Sequence, residues 1–279
     1  MTIPWWAKIA AKLLLARIPL AYSTWTRLGI FRHGGMAQAD YAREVFAFHL
    51  AQFGTAVRPG AVCLEVGPGD SLFTAINAHR AGFAKTFMVD AGSYARSSLD
   101  GFRKAALAQG VDPAEAAGWR SLAQAIGRLG AQYLTDGIGS LRAMPDASVD
   151  FIFSQAVLEH VRAAEYRDFI AETYRILAPG GVASHQIDLR DHLQAGLNNL
   201  RFGTDRWEAE WMARSGFYTN RIAFSEHRRV FEGCGFEVTI AGIAHFESPP
   251  LARARMAAEF RDRSEGDLMV SSFHLVARK

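Results

Sequence analysis

The stretch Ala61-Val62-Cys63-Leu64-Glu65-Val66-Gly67-Pro68-Gly69-Asp70-Ser71 constrains this chain more than any other. The apolar run from Ala61 to Val66 has the length and composition of a short strand buried on both faces. It runs into a Gly-x-Gly turn, and Leu72-Phe73-Thr74-Ala75-Ile76 then reads as the start of a helix. Glycine tolerates the left-handed backbone of such a turn and lets a ligand approach the main chain, while the first N–H groups of the helix lack intrahelical partners. Strand, glycine turn and helix in that order make a ligand site at the carboxyl end of a strand. A dinucleotide fingerprint requires Gly or Ala at the sixth position, where helix and strand pack closely. Leu72 stands there, which argues against a nicotinamide cofactor.

Glu65, two residues before the first glycine, fits another class. The stretch resembles the first motif of class I S-adenosylmethionine (SAM) dependent methyltransferases: hydrophobics, an acid, then Gly-x-Gly-x-Gly, with Ser71 in place of the third glycine. A second strand, Lys85 to Asp90, ends in an acid. That placement suits two hydrogen bonds from ribose hydroxyls; a helix cap before Ala91-Gly92-Ser93 is its other reading. Gln132 to Thr135 reads as strand three, followed by Asp136-Gly137. The resemblance implies an acid near the adenine amino group there, although Asp-Gly is also an ordinary turn. The run Met144-Pro145-Asp146-Ala147-Ser148-Val149-Asp150-Phe151-Ile152-Phe153-Ser154-Gln155-Ala156-Val157-Leu158-Glu159-His160-Val161 is similar to a second motif of the same class. It makes Val149–Phe153 a central strand with Ser154 and Gln155 at its carboxyl end. A Leu-x-Pro-Gly-Gly turn at 177–181 before strand five, 182–188, is a further shared feature.

The resemblance covers roughly residues 58–190. It implies an α/β fold: a Rossmann-like, seven-stranded, mostly parallel sheet with helices on both faces. Strand seven, Ser271 to Ala277, is expected antiparallel between strand five and strand six, Phe236 to Ile240. Repeated strand–helix alternation argues independently for a parallel sheet covered on both faces. The expected organisation is a helical leader or cap over 1–57 and a methyltransferase domain over 58–279 with an acceptor-binding insertion at 189–224. Residues 245–267, rich in arginine and acid, read as a solvated surface helix.

The cofactor implied is SAM, with Glu65, Gly67, Gly69 and Asp70 framing its methionine portion, Asp90 its ribose, Asp136 and Gly137 its adenine, and Ser154 and Gln155 its reacting end. A hydroxyl acceptor needs a base within hydrogen-bond reach. His160, His185 and Asp188 are the candidates, with His185 also readable as a buried core histidine, since strand alternation sets it on the face opposite Asp188. The spacing His185-x-x-Asp188-x-x-Asp191-His192 has ligand types for a divalent metal, and equally reads as caps and salt bridges. The expected reaction is O-methylation of a small molecule or glycan, such as a sugar or glycolipid precursor. A non-catalytic SAM-binding interaction protein and an N-methyltransferase of a small metabolite are the alternatives. Arginines in the insertion suit an anionic acceptor.

Composition bounds the rest. With 279 residues, 49% hydrophobic and 21% charged, the chain is globular in character. A net charge of +3 does not call for nucleic acid, and no RNA-binding motif or zinc-finger spacing is present. Cys63 and Cys234 read as reduced thiols of a cytoplasmic protein. Residues 1–28 interleave Trp5, Trp6, Ile9, Leu13, Leu14 and Ile18 with Lys8, Lys12, Arg17 and Arg27. The cations interrupt the run below the ~20 apolar residues of a membrane span. A basic helix lying on an anionic membrane surface and a helix packed on the domain are the two readings.

Overall fold

A computed structural model describes residues 36–279. Residues 1–28, with their membrane-surface reading, lie outside the described residues. Seven strands form one sheet: β1 (Val62–Val66), β2 (Lys85–Val89), β3 (Ala131–Leu134), β4 (Val149–Gln155), β5 (Leu177–Asp188), β6 (Glu237–His245) and β7 (Val270–Arg278). Their order is β3-β2-β1-β4-β5-β7-β6. The pairings from β3 to β5 are parallel, and β7 runs antiparallel between β5 and β6. The order reverses between β1 and β4, and loops at the carboxyl ends of those two strands flank the crevice where open α/β sheets bind ligands.

Alternation along the strands divides the core. On one face Leu64, Ile152, Ala183, Ile187 and Leu275 meet Phe169 and Ile170 of α7 (Ala163–Ile176) and Phe231 of α10 (Phe224–Gly233). On the other, Cys63, Phe151, Phe153, Val182 and Val276 meet Phe46 of α1 (Ala39–Leu50) and Ala78 of α2 (Thr74–Ala81). Toward the β3 edge, Phe102 of α3 (Leu99–Ala108) packs with Trp119 and with Ile126 of α5 (Leu122–Arg128). Local chemistry sets these helix starts. The Ser98 and Ser121 hydroxyls accept N–H groups of the first turns of α3 and α5, and Asp112 caps α4 (Pro113–Ala117) with proline at its first position. The short α6 (Ile138–Arg142) follows the Asp136-Gly137 turn.

Three boundaries depart from the sequence reading. The helix after the glycine turn starts at Thr74, because Leu72 is drawn into the core and its N–H bonds the Ser97 hydroxyl. β5 begins at Leu177, which pairs with Val149 before the register shift of the Pro-Gly-Gly turn. Residues 245–267 do not form a surface helix. Pro249-Pro250 interrupts them, and two single turns, Arg253–Arg255 and Ala258–Phe260, bury Leu251, Met256 and Phe260 against Leu197 and Leu200 of the 189–224 insertion. α11 (Glu265–Met269) then leads into β7. Among the described residues no helix is long and apolar enough to cross a membrane.

Candidate active site

Loops after four neighbouring strands, β3, β2, β1 and β4, converge. Gly67 and Gly69 take φ of 71° and 61°, the left-handed region glycine supplies without strain. A Cβ on Gly67 would lie 2.5 Å from a Val157 methyl, so the β1 and β4 loops touch only because that side chain is missing. The same addition at Gly69 meets nothing within 4 Å, leaving its main chain open to a ligand. The Asp90 carboxylate accepts the Gly69 N–H at 3.0 Å and the Ala91 N–H at 2.9 Å. The glycine loop and the acid after β2 are thereby one unit. Burial raises the Asp90 pKa against those two bonds, and the Asp70 charge adds to the rise. Gly137 N–H bonds the Asp90 carbonyl at 2.9 Å, bringing the Asp136-Gly137 turn to the same rim with Asp136 exposed. The Asp70 carbonyl accepts the Arg96 N–H, and its carboxylate lies 3.9 Å from the Arg96 guanidinium.

Glu65 sits in β1 beneath the glycine turn, 1% exposed. Burial pushes its pKa up to about 8 against a Thr74 hydrogen bond, and the Asp90 charge raises it further. Its Oε2 has no hydrogen-bond partner. A buried oxygen left without a partner is costly, and it matches a cationic ligand group entering the crevice. The residues present therefore fit a ligand with an ammonium at the glycine turn and hydroxyls at Asp90.

The remaining candidates separate. Ser154 does not reach the crevice: it is fully buried, and its hydroxyl is 2.8 Å from His185 Nδ1 on the α7/α10 face. His185 is fully enclosed against Phe231, and burial holds its pKa down to about 3. Without a path to acceptor or solvent it is a core histidine and leaves the catalytic set. The Asp188 carboxylate is gripped by Arg190 through Nε at 2.9 Å and Nη2 at 2.7 Å. Asp191 accepts the N–H groups of Leu193, Gln194 and Asn198, capping the loop after β5. The four residues of the metal-ligand spacing thus face different partners, and among the described residues no group of three or more potential ligands converges.

His160 is held differently. It ends a single turn, Leu158–His160, after β4. Its Nδ1 lies 2.9 Å from the Tyr218 carbonyl. A carbonyl only accepts, so Nδ1 carries the proton and Nε2 of the neutral ring is basic. That Nε2 lies 3.3 Å from His192 Nε2, and the two rings stack at 5.0 Å. The insertion supplies the anchor. Asn220 donates to the Leu158 and Val161 carbonyls, the Tyr218 hydroxyl bonds Glu208 and the Ala163 N–H, and the Trp207 indole bonds the Thr219 carbonyl. Its short helices α8 (Thr204–Trp207) and α9 (Glu210–Ala213) pack Trp207 and Met212 with Tyr218.

Three of the insertion's arginines have partners within the protein. Arg201 bonds Asn198, Arg214 pairs with Glu210, and Arg221 bonds the Phe202 carbonyl. Sequence reading gave Glu159 no role. Glu159 is 2% exposed, its pKa raised to about 8 by burial and by the Asp188 charge. Its place inside the Val-Leu-Glu-His run was the one signal for it.

Residues 64–184 match the family model for a methyltransferase domain. A search of the curated proteins finds no match. Among solved structures, a SAM-dependent methyltransferase from Archaeoglobus fulgidus shares 13% identity over 85% of this chain and 94% of its own, with a TM-score of 0.47. One from Mesorhizobium loti shares 16% over 86% and 100%, with a TM-score of 0.44. A Haemonchus contortus phosphoethanolamine N-methyltransferase 2, solved with S-adenosyl-L-methionine, shares 14% over 85% of this chain with a TM-score of 0.47; the chain spans about half of it, 52%. The matched segment, less than half of the chain, forms the crevice between β1 and β4 and is similar to a methyltransferase domain.

Proposed function

We propose that the protein transfers a methyl group from SAM to a hydroxyl of a small polyhydroxylated acceptor, a sugar or glycolipid precursor, with His160 as the base. The observation that carries this is the bond between His160 Nδ1 and the Tyr218 carbonyl. It fixes the tautomer and leaves Nε2, beside His192 in the loop after β4, as the basic nitrogen.

Bound SAM supplies a methyl group already activated on a sulfonium. The protein's own residues do the rest. The unpartnered Glu65 oxygen meets the cofactor's ammonium, with Gly67, Gly69 and Asp70 around its amino-acid tail. Asp90 exchanges its Gly69 bond for ribose hydroxyls, and Asp136 with Gly137 borders the adenine. Gln155, at the end of β4, faces the reacting end. Alignment of acceptor and methyl supplies much of the acceleration.

The test is methyl transfer from labelled SAM to a panel of neutral glycosides, with His160→Asn alongside. Removing a general base lowers kcat by about 10²–10⁴. S-adenosylhomocysteine affinity, measured by calorimetry, stays within about twofold, as it does when a lost group acts on the acceptor alone. Transfer to amines with none to hydroxyls, or full activity in His160→Asn, refutes the reading.

A further inference from the structure

A second cavity lies on the opposite face of the sheet from His185. It has a volume of about 340 Å³, opens to solvent, and is lined by Glu44, Val45 and Phe48 of α1 with Gln155 and Gln186. That volume is within the range of small-molecule pockets, about 300–1,000 Å³. We infer that this pocket is the acceptor subsite and that it takes a neutral, hydroxyl-rich ring, a hexose or deoxyhexose unit. The inference rests on the hydroxyl-transfer reading above and gives it a place and a chemistry.

A buried relay ends at Gln155. His49 is fully buried, with Nδ1 2.7 Å from the Ser184 hydroxyl and Nε2 3.1 Å from Gln155 Oε1. The Ser184 hydroxyl is also 2.8 Å from His274 Nε2. With the Gln155 amide so oriented, the donors run in one direction. His274 Nε2–H donates to Ser184, Ser184 O–H to His49 Nδ1, and His49 Nε2–H to Gln155 Oε1. The amide NH₂ of Gln155 is left to face the pocket. Apolar side chains would fill this part of the core without needing matched donors and acceptors. A polar relay that ends at Gln155 holds that amide in one orientation. Burial keeps His49 and His274 neutral, with pKa values near 4, so the relay persists at neutral pH.

Gln155 and Gln186 are in register across β4 and β5, so their side chains emerge together. Among the described residues the Gln186 amide has no hydrogen-bond partner. Phe48 packs one face on the His274 ring, at 4.5 Å between centroids, yet remains 46% exposed. Its outer face is an apolar platform beside two amides and a carboxylate. Vicinal hydroxyls both donate and accept, matching amide and carboxylate together, while the C–H face of a sugar ring covers the phenyl group. An ammonium group offers no acceptor to the Gln155 NH₂. A phosphate finds no cation among the described lining residues and meets the Glu44 charge.

The experiment uses the full chain saturated with S-adenosylhomocysteine. Saturation-transfer NMR is recorded with methyl glycosides of gluco, galacto, manno, rhamno and fuco configuration, and separately with ethanolamine and inorganic phosphate. At least one glycoside is expected to show transfer that neither ethanolamine nor phosphate displaces. Gln186→Leu and Phe48→Ala are each expected to weaken that glycoside about tenfold, the equivalent of one hydrogen bond or ring contact. Their S-adenosylhomocysteine affinity stays at the wild-type value. If a glycoside binds and is methylated but both variants bind it as wild type does, the pocket is misassigned and hydroxyl transfer stands. If ethanolamine or phosphate binds in place of every glycoside and amines alone are methylated, the hydroxyl-transfer reading itself falls, and the pocket's chemistry with it.

Discussion

Glu65→Gln tests the buried acid under the glycine turn. The folded carboxyl has a pKa of about 8, against an ordinary value of 4.5 once the chain unfolds. Between those values the folded state binds the extra proton, so this group makes stability fall as pH rises, with the loss levelling off above pH 8. From pH 6.5 to 8 the contribution is roughly 1.5–2 kcal/mol, at 1.36 kcal/mol per pH unit less the rounding near the pKa. Glutamine keeps the shape and the Thr74 bond but cannot ionise. Urea unfolding of both proteins at pH 6.5, 7 and 8 isolates the group, because every other titration cancels in the difference. The stability of Glu65→Gln relative to wild type should grow by that amount across the window. The same substitution removes the partner proposed for the cofactor's ammonium. Affinity for S-adenosylhomocysteine should therefore drop about 10–100-fold, the scale of one charge-assisted hydrogen bond. A stability difference that does not change with pH would refute the argument from burial, and unchanged affinity would refute the ammonium contact.

Gly67→Ala places a methyl at φ 71° and drives it into Val157. The left-handed backbone alone costs about 1–2 kcal/mol, and unfolding should show at least that loss together with weakened S-adenosylhomocysteine binding. Acid should destabilise the protein steeply below pH 6.5. His49, His185, His227 and His274 are buried neutral, with pKa values held near 3–4, so the stability they contribute is present above 6.5 and lost as pH falls toward 3. His185→Leu should flatten that acid limb in denaturant titrations.

Short-range pattern determined much of this protein. The apolar run at 62–66, the glycines after it, and an acid ending the next strand follow from strand burial, backbone freedom and turn chemistry, each settled within a few residues of sequence. Strand alternation likewise put His185 and Asp188 on opposite faces, as β5 does. Tertiary structure decided what those residues face. Ser154 looked like a site residue by its place at the end of β4, but a one-residue alternation turns it to the core and its neighbour Gln155 to the pocket. The His160 ring is oriented by the Tyr218 carbonyl, 58 residues away in sequence. His49, an ordinary helix histidine by pattern, bonds Ser184 across 135 residues. Arg221 looks free in sequence because its partner, the Phe202 carbonyl, lies 19 residues away. Local sequence sets backbone conformation, whereas hydrogen-bond partners and burial depend on which distant segments the folded sheet brings together.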